Sequence, residues 1–497
     1  MTEATQFAVE AAPAPAAPRA ARTPAEERSR WIGLVVLCTG MLMIVIDATI
    51  VNVALPAIQA DLRFSSASLA WVVNAYLIAF GGLLLLAGRL GDLIARRGVF
   101  LAGLGVFTTA SLLCGFAPNQ ELLITARFVQ GIGGAMTSAV ILGMIVTLFP
   151  EPREQAKAIG VYAFVASAGG SIGLLVGGVL TQTINWHWIF FINVPIGIVA
   201  AFLARRWLPA QTGSGFGRGA DVLGGALITG ALMLAVYTIV EPAAQHGWGD
   251  ARTLGFGGGA IALLAAFLVR EATAPNPLMP LRIFRSRAVS GANIVQALTV
   301  AGMFGMFYLG VLYLQNVLHY DALRTGVGFL PTTILMGTLS LRYADKLIMR
   351  FGAKATLIPG LVLIAAGLAW FARVPVDGHY LVDVLPLAIL MGSGVGISFP
   401  CMATLSMSGA TDEDAGLASG LANTTMQVGA ALGLAVLATL SATQTTHLAS
   451  LGNPVAVALT GGYHVGFWVA AGLVLVALVV AITMLPARRP AAVAPQS

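Results

Sequence analysis

The chain has 497 residues, of which 58% are hydrophobic and only 10% charged, with a net charge of +6 and a mean hydropathy of +0.86. An ordinary soluble protein carries about 25% charge, and a fold of this size could not cover its surface with so few. A cytosolic enzyme, a nucleic-acid binder and a disordered chain are thereby excluded, which leaves an all-α polytopic membrane protein.

Residues 1–30 form an Ala/Pro-rich stretch with Arg19, Arg22, Arg28 and Arg30. The apolar run that follows is too long for a signal peptide and lacks a small-residue cleavage site. The stretch reads as a disordered cytoplasmic tail. Apolar runs then recur near 31–54, 68–88, 99–117, 122–148, 158–181, 187–206, 222–240, 253–270, 289–314, 325–343, 355–372, 383–405, 416–440 and 464–485. Each is near the length a spanning helix needs, so fourteen transmembrane helices are expected. Transmembrane strands would be about 10 residues long and alternate in polarity, so a barrel is excluded.

The loops test this layout. With the N-terminus inside, 22 of the 27 Lys and Arg residues fall on the inner side and four on the outer, and Arg127 lies within a span. That bias puts both termini in the cytoplasm and requires an even number of spans. The excess of basic residues needs no nucleic-acid partner. Cys38, Cys114 and Cys401 lie inside apolar runs and read as small hydrophobes, with no disulfide framework and no metal spacing.

The chain repeats itself weakly. GRLGDLIARRG (88–98) follows span 2, and LRYADKLIMRFG (341–352) follows span 10. Acidic loops precede spans 5 and 13, at 150–160 and 409–420. The expected organisation is a six-helix bundle over 31–206, two inserted helices with their linkers over 207–288, a second six-helix bundle over 289–485, and a cytoplasmic tail from 486 to 497. Two related bundles around a central cavity are a transporter architecture.

Asp47 is the only acid well inside a span. A carboxylate at helix centre costs roughly 2.5–3.5 kcal/mol on insertion scales. It either bonds a neighbouring helix or does chemistry there, and the cost favours chemistry. Desolvation would raise its proton affinity, as a proton carrier needs. Arg127 starts span 4, with Gln130 one turn on, and Gly131, Gly133 and Gly134 permit a close helix approach. Whether Arg127 snorkels to the interface or pairs with Asp47 is not legible here.

Taken in order, IDATIVNVALP (46–56), GRLGDLIARRG (88–98), RFVQGIGGA (127–135), a glycine-spaced span 5 and WHWIFFINVPIG (186–197) resemble the fourteen-span drug:proton antiporters of the major facilitator superfamily, the multidrug-resistance exporters. The resemblance covers nearly the whole chain after residue 30. It implies the major facilitator fold and proton coupling through Asp47 and Arg127. It also implies a cytoplasmic gate built from Gly88, Arg89, Asp92, Arg96 and Arg97, with Asp345 and Arg350 in the second copy. Gly160, Gly169, Gly173, Gly177 and Gly178 match the family's antiporter motif. The chain departs from the pattern at Leu93 and Ala95, where a basic residue and Gly are usual. It departs again at Leu174, where Pro is usual after Gly173, and at His187, where Arg is usual.

Candidate substrate-binding residues are Asn52 on span 1, Asn74 and Tyr76 on span 2, Gln130 on span 4, Gln296, Phe304, Phe307, Tyr308 and Gln315 along span 9, and Asn423 and Gln427 on span 13. Such polar and aromatic groups suit an amphipathic ligand, although helix packing explains each as readily. Asn74, Met336 and Asn423 stand where related cation exporters place acids, which predicts neutral, zwitterionic or weakly charged substrates. No GK[ST] follows a glycine-rich loop, so no ATP-driven pump is expected. No HExxH, GxSxG or His/Cys cluster points to an enzyme or a metal site.

The expected protein is therefore a monomeric exporter of hydrophobic or amphipathic small molecules, without cofactor. It is driven by the proton gradient, surrounded by lipid, and set in a bacterial cytoplasmic membrane. A lipid transporter with weak or no proton coupling is the alternative that Leu174 motivates. A non-transporting receptor or scaffold would have no need of paired gating loops.

Overall fold

The computed structural model describes residues 24–65, 68–210, 221–407 and 415–486. Arg19, Arg22, most of the 409–420 loop and the C-terminal tail lie outside the described residues. Every regular element among those described is helical, as a chain in lipid must be when each backbone amide has to find its partner within its own segment.

The first half contains α1 (Pro24–Leu62), α2 (Trp71–Ile94), α3 (Arg96–Gly115), α4 (Gln120–Leu148), α5 (Pro152–Thr183), and the pair α6 (Trp188–Phe191) and α7 (Asn193–Trp207). α8 (Val222–Val240), the short α9 (Pro242–His246) and α10 (Ala251–Thr273) follow. The second half contains α11 (Arg287–Asn316), α12 (Ala322–Gly328), α13 (Leu330–Arg342), α14 (Ala344–Phe351), α15 (Ala353–Phe371), α16 (Leu385–Met407), α17 (Ala415–Ser450) and α18 (Val455–Met484). Short polar residues start several of them. Asn119, Asp221, Asp250, Ser286 and Asp321 each accept a hydrogen bond from a first-turn amide of the helix that follows.

Twelve of these helices, counting α6 with α7 as one, are long and apolar enough to cross a membrane. The chain is a multi-pass membrane protein. Twelve is the count among the described residues, two fewer than the fourteen expected from the sequence. α5 is a continuous helix of 32 residues, longer than a crossing requires. The tenth segment breaks at Phe329 into α12 and α13, with Pro331 in the first turn of the latter.

In the first half α4 packs on α3 and α2, and α1 packs on α5 and α7. In the second, α16 packs on α15 and α13, and α11 packs on α17 and α18. The halves meet through α2 against α17, through α5 against α12 and α13, and through α1 against α11. α8 pairs with α10 and rests on both α2 and α17, so the inserted helices straddle the junction. One apolar core runs through both halves.

Candidate functional site

The most unusual group in the interior is built on five helices of the first half. Asp47 on α1 and Arg127 on α4 are 0% and 1% exposed. Arg127 Nη1 donates to Asp47 Oδ2 at 2.5 Å. The other carboxylate oxygen, Oδ1, accepts from Gln130 Nε2 at 2.7 Å and from Asn193 Nδ2 at 2.9 Å. Gln130 sits one turn beyond Arg127, so α4 delivers both donors from a single face. Its Oε1 accepts in turn from Arg127 Nη1 at 2.7 Å.

The rest of Arg127 is also held. Its Nε donates to the carbonyl of Val72 on α2 at 3.0 Å. Its guanidinium lies over the Tyr76 ring, 4.5 Å from the centroid, a geometry in which the ring face attracts a cation. Asn193 extends the network to α3. Its Nδ2 also donates to Ser111 Oγ at 3.0 Å, and Ser111 Oγ donates to the carbonyl of Phe190 at 2.9 Å. The buried thiol of Cys114 lies 3.6 Å from Gln130 Oε1.

The helices approach closely enough for this because of glycine. A Cβ on Gly131 would collide with the Tyr76 carbonyl, and one on Gly133 with the backbone of Phe107. An ion pair this deep is stabilised only when each charge is fully hydrogen-bonded. Here the carboxylate accepts from three donors and the guanidinium has four partners.

The structure thus brings Asp47 and Arg127 together, a pairing the sequence left open. Gln130 and Tyr76, read as substrate-binding, are part of the ion-pair assembly. Asn193 and Ser111 were missed. The signal for Asn193 was present, as an amide inside the apolar run of span 6.

The other substrate-binding candidates disperse. Asn52 folds back on its own helix, donating to the Ala48 carbonyl at 3.1 Å. Asn74 is fully buried. Gln315 Nε2 donates to the Val53 carbonyl at 2.9 Å and so ties α11 to α1 across the two halves. The Phe307 ring lies 5.7 Å from Phe329, and Phe304 packs against the core. Gln427 lies against Gly81 of α2, and Asn423 is exposed. Tyr308 borders a cavity of about 120 Å³ between the halves, together with Gln59, Asn316, Ser441, Thr445 and Tyr463. No acidic or basic side chain is among the described residues that line it. It is smaller than the 300–1,000 Å³ typical of drug-sized sites. Gln296 lies on the same helix, about three turns from Tyr308, and is buried.

At the basic end of the bundle, Arg96 Nη1 donates to the carbonyl of Gly143 and to Thr147 Oγ1 on α4, at 3.0 and 3.3 Å. Arg97 Nη2 donates to the Arg205 carbonyl at the end of α7. Both of these contacts stay within the first half. The side chain of Asp92 lies outside the described residues. Gly88 and Arg89 lie in the last two turns of α2, partly exposed, and Asp345 and Arg350 are exposed on α14. Along α5, Gly169, Gly173 and Gly177 face α1, Gly178 faces α12, and Gly160 has open space around it. Leu174 leaves α5 unbroken, and its carbonyl approaches Gly326.

Compared with known proteins, the sequence profile of the Major Facilitator Superfamily matches residues 37–434. The chain is 39% identical to the puromycin resistance protein of Streptomyces alboniger over 93% of both chains. It is 38% identical to the cephamycin export protein of Amycolatopsis lactamdurans, over 83% of this chain and 85% of that one. Among solved structures, a bacterial homolog of the human lysosomal transporter Spinster, in an inward-facing and unoccupied conformation, matches with a TM-score of 0.68. The match covers 94% of this chain and 99% of that one at 16% identity, a likeness of fold alone.

Proposed function

The chain belongs to the Major Facilitator Superfamily, and on that premise we propose that it exports hydrophobic or amphipathic small molecules, antibiotics among them, in exchange for protons. It is a transporter rather than an enzyme. The observation that carries the coupling is the fully buried Asp47 carboxylate with three donors from two other helices.

In the ionised state the carboxylate clamps α1 to α4 and α7. A proton on Asp47 removes its charge, weakens its hold on Arg127 and turns one carboxylate oxygen into a donor. Arg127 keeps Val72 and Gln130 as partners, so its charge is not stranded. The helices of the first half are then free to shift relative to each other, and the two halves rock about the substrate between them. Substrate leaves on the outward stroke, and the proton leaves Asp47 on the inward one. The gradient is the energy source, and no cofactor takes part.

The basic end of the bundle faces the cytoplasm in this reading, with both termini there, in a bacterial cytoplasmic membrane; the positive bias of those loops supports it. A monomer in lipid suffices. Because the second half holds no buried acid among its described residues, the substrates are neutral, zwitterionic or weakly charged. A dicationic dye moved as fast as a neutral antibiotic would sink that assignment.

The test is the purified protein in liposomes with a pH-sensitive dye inside and puromycin as the first probe. Substrate-dependent proton flux is expected, and Asp47→Asn abolishes it. Substrate movement indifferent to both the gradient and Asp47→Asn would overturn proton coupling in favour of a lipid-type carrier.

A further inference from the structure

Asn193 supplies the α7 side of the clamp on Asp47, and the coupling cycle above gives it no further part. It is 0% exposed and begins α7, directly after the one-residue break at Ile192 that separates α7 from α6. Its Nδ2 is shared between Asp47 Oδ1 and Ser111 Oγ, at 2.9 and 3.0 Å. Its Oδ1 is buried with no hydrogen-bond partner among the described residues. An amide is free to turn over, and the orientation it takes follows from its neighbours. Here the ionised carboxylate dictates it, since the reverse orientation would set the amide oxygen against a carboxylate oxygen.

We propose that Asn193 is the positioning residue that sets the proton affinity of Asp47 and links its charge state to the α6–α7 joint. Two neutral donors converge on Oδ1. Gln130 comes from the same helix as Arg127 and is tied to it, so its donation follows the ion pair. Asn193 is the donor that comes from elsewhere in the fold. Each hydrogen bond to the charged form of a carboxylate favours that form. Removing the Asn193 donor therefore makes Asp47 easier to protonate.

The other charged or titratable groups at Asp47 are Arg127 on α4, Tyr76 on α2 and Cys114 on α3. None of them touches Asn193 in a hydrogen bond among the described residues, so the effect of Asn193 is separable from theirs. When Asp47 is protonated, the amide no longer has a carboxylate to serve, and its unpartnered Oδ1 is an acceptor for the new O–H. That rearrangement loosens Asn193 from Ser111, whose hydroxyl holds the Phe190 carbonyl in the last turn of α6. The joint between α6 and α7 is thus fixed while Asp47 is charged and released when it is not.

The proposal rests on the coupling reading for its consequence, but its test does not depend on transport. The protonation of Asp47 is followed by difference infrared spectroscopy of the purified protein, with the carboxyl band assigned by its disappearance in Asp47→Asn. In Asn193→Leu the titration of the carboxyl band is expected to move to higher pH, because a donor to the charged form is lost. In Asn193→Asp, nearly the same shape but with a like charge beside Asp47, it moves further; this variant keeps the test decisive should Asn193→Leu fail to fold. Ser111→Ala leaves the carboxyl titration close to that of the unaltered protein, because it removes no donor from Asp47. Superimposed titrations, or a carboxylate that stays ionised in all the variants, overturn the assignment. If the titration moves while substrate flux in liposomes ignores the gradient, proton coupling falls and the role of Asn193 stands.

Discussion

The two halves of this molecule are packed alike and charged differently. α3 meets α4 at Gly133 against the backbone of Phe107, and the equivalent pair in the second half, α15 and α16, meets at Gly394 against Gly360 and Ile364. Six residues before that glycine, α4 carries Arg127, whereas α16 carries Ala388, buried and apolar. Among the described residues, Asp47 and Arg127 are buried charges of the first half, Asp221 and Glu271 belong to the inserted helices, and residues 289–485 bury none. The interior polar groups of the second half are neutral, including Asn293, Gln296 and Tyr308. A close-packed helix seam asks only for small residues, so both halves can keep it. A buried charge asks for a full set of partners, and only one half supplies them. In the proposed cycle, proton chemistry belongs to the first half and the second half is a neutral wall for substrate.

The largest test of this contrast is Arg127→Met, which strands the Asp47 charge in the interior. A loss of about 3–5 kcal/mol is expected, measured as a fall in thermal unfolding temperature in detergent. Combining it with Asp47→Asn should restore much of that stability without restoring proton flux. Equal destabilisation in the single and double variants would mean that Asp47 is not charged in the fold.

Next come the shared seams. Gly133→Leu and Gly394→Leu are each expected to destabilise by about 1–3 kcal/mol, because the added side chain must displace backbone. Similar unfolding shifts in the two halves would sharpen the comparison. A Gly394 variant with no cost would break the packing equivalence.

The neutral half offers a milder test. Tyr308→Phe removes a hydroxyl from the cavity wall. It is expected to weaken the apparent affinity for a hydrogen-bonding substrate by roughly 2–10-fold and to leave the pH profile of transport unmoved. A shifted pH profile would place proton chemistry in the second half as well.

The smallest effect compares the two basic loops. Ala95 separates α2 from α3 at φ 148°, and Gly352 separates α14 from α15 at φ 87°. Both lie in the region that favours glycine. Ala95→Gly should therefore stabilise the protein and Gly352→Ala destabilise it, each by about 1 kcal/mol, as read by chemical unfolding of the reconstituted protein.

Much of the fold was legible because the bilayer imposes a length and a composition on each crossing. The boundaries of α2, α4 and α8 fall within a few residues of the apolar runs at 68–88, 122–148 and 222–240. The tenth segment was less legible. Its apolar run is continuous, and the break at Phe329 depends on where Pro331 falls relative to the packing of α12 on α5. At the site, Asp47 and Arg127 stood out because lipid penalises each alone. Gln130 and Tyr76 did not reveal their partners, since an amide and a phenol serve a ligand, a lipid interface or an ion pair equally well.

By itself, the sequence determined the all-helical membrane class, the basic and non-basic ends, and the two residues whose burial demands an explanation. Each follows from the cost of transferring single groups out of water, which is a property of the residue and not of its neighbours. Only the tertiary structure decided that Asp47 and Arg127 meet, and that Asn193 and Ser111 join them. It alone placed Arg96 and Arg97 on carbonyls of their own half. Those facts depend on which helix faces lie against each other, at separations of 80 and 146 residues along the chain, and no local pattern encodes them. The scarcity of charge that first excluded a soluble protein also makes the few buried charges informative, but their partners had to be seen.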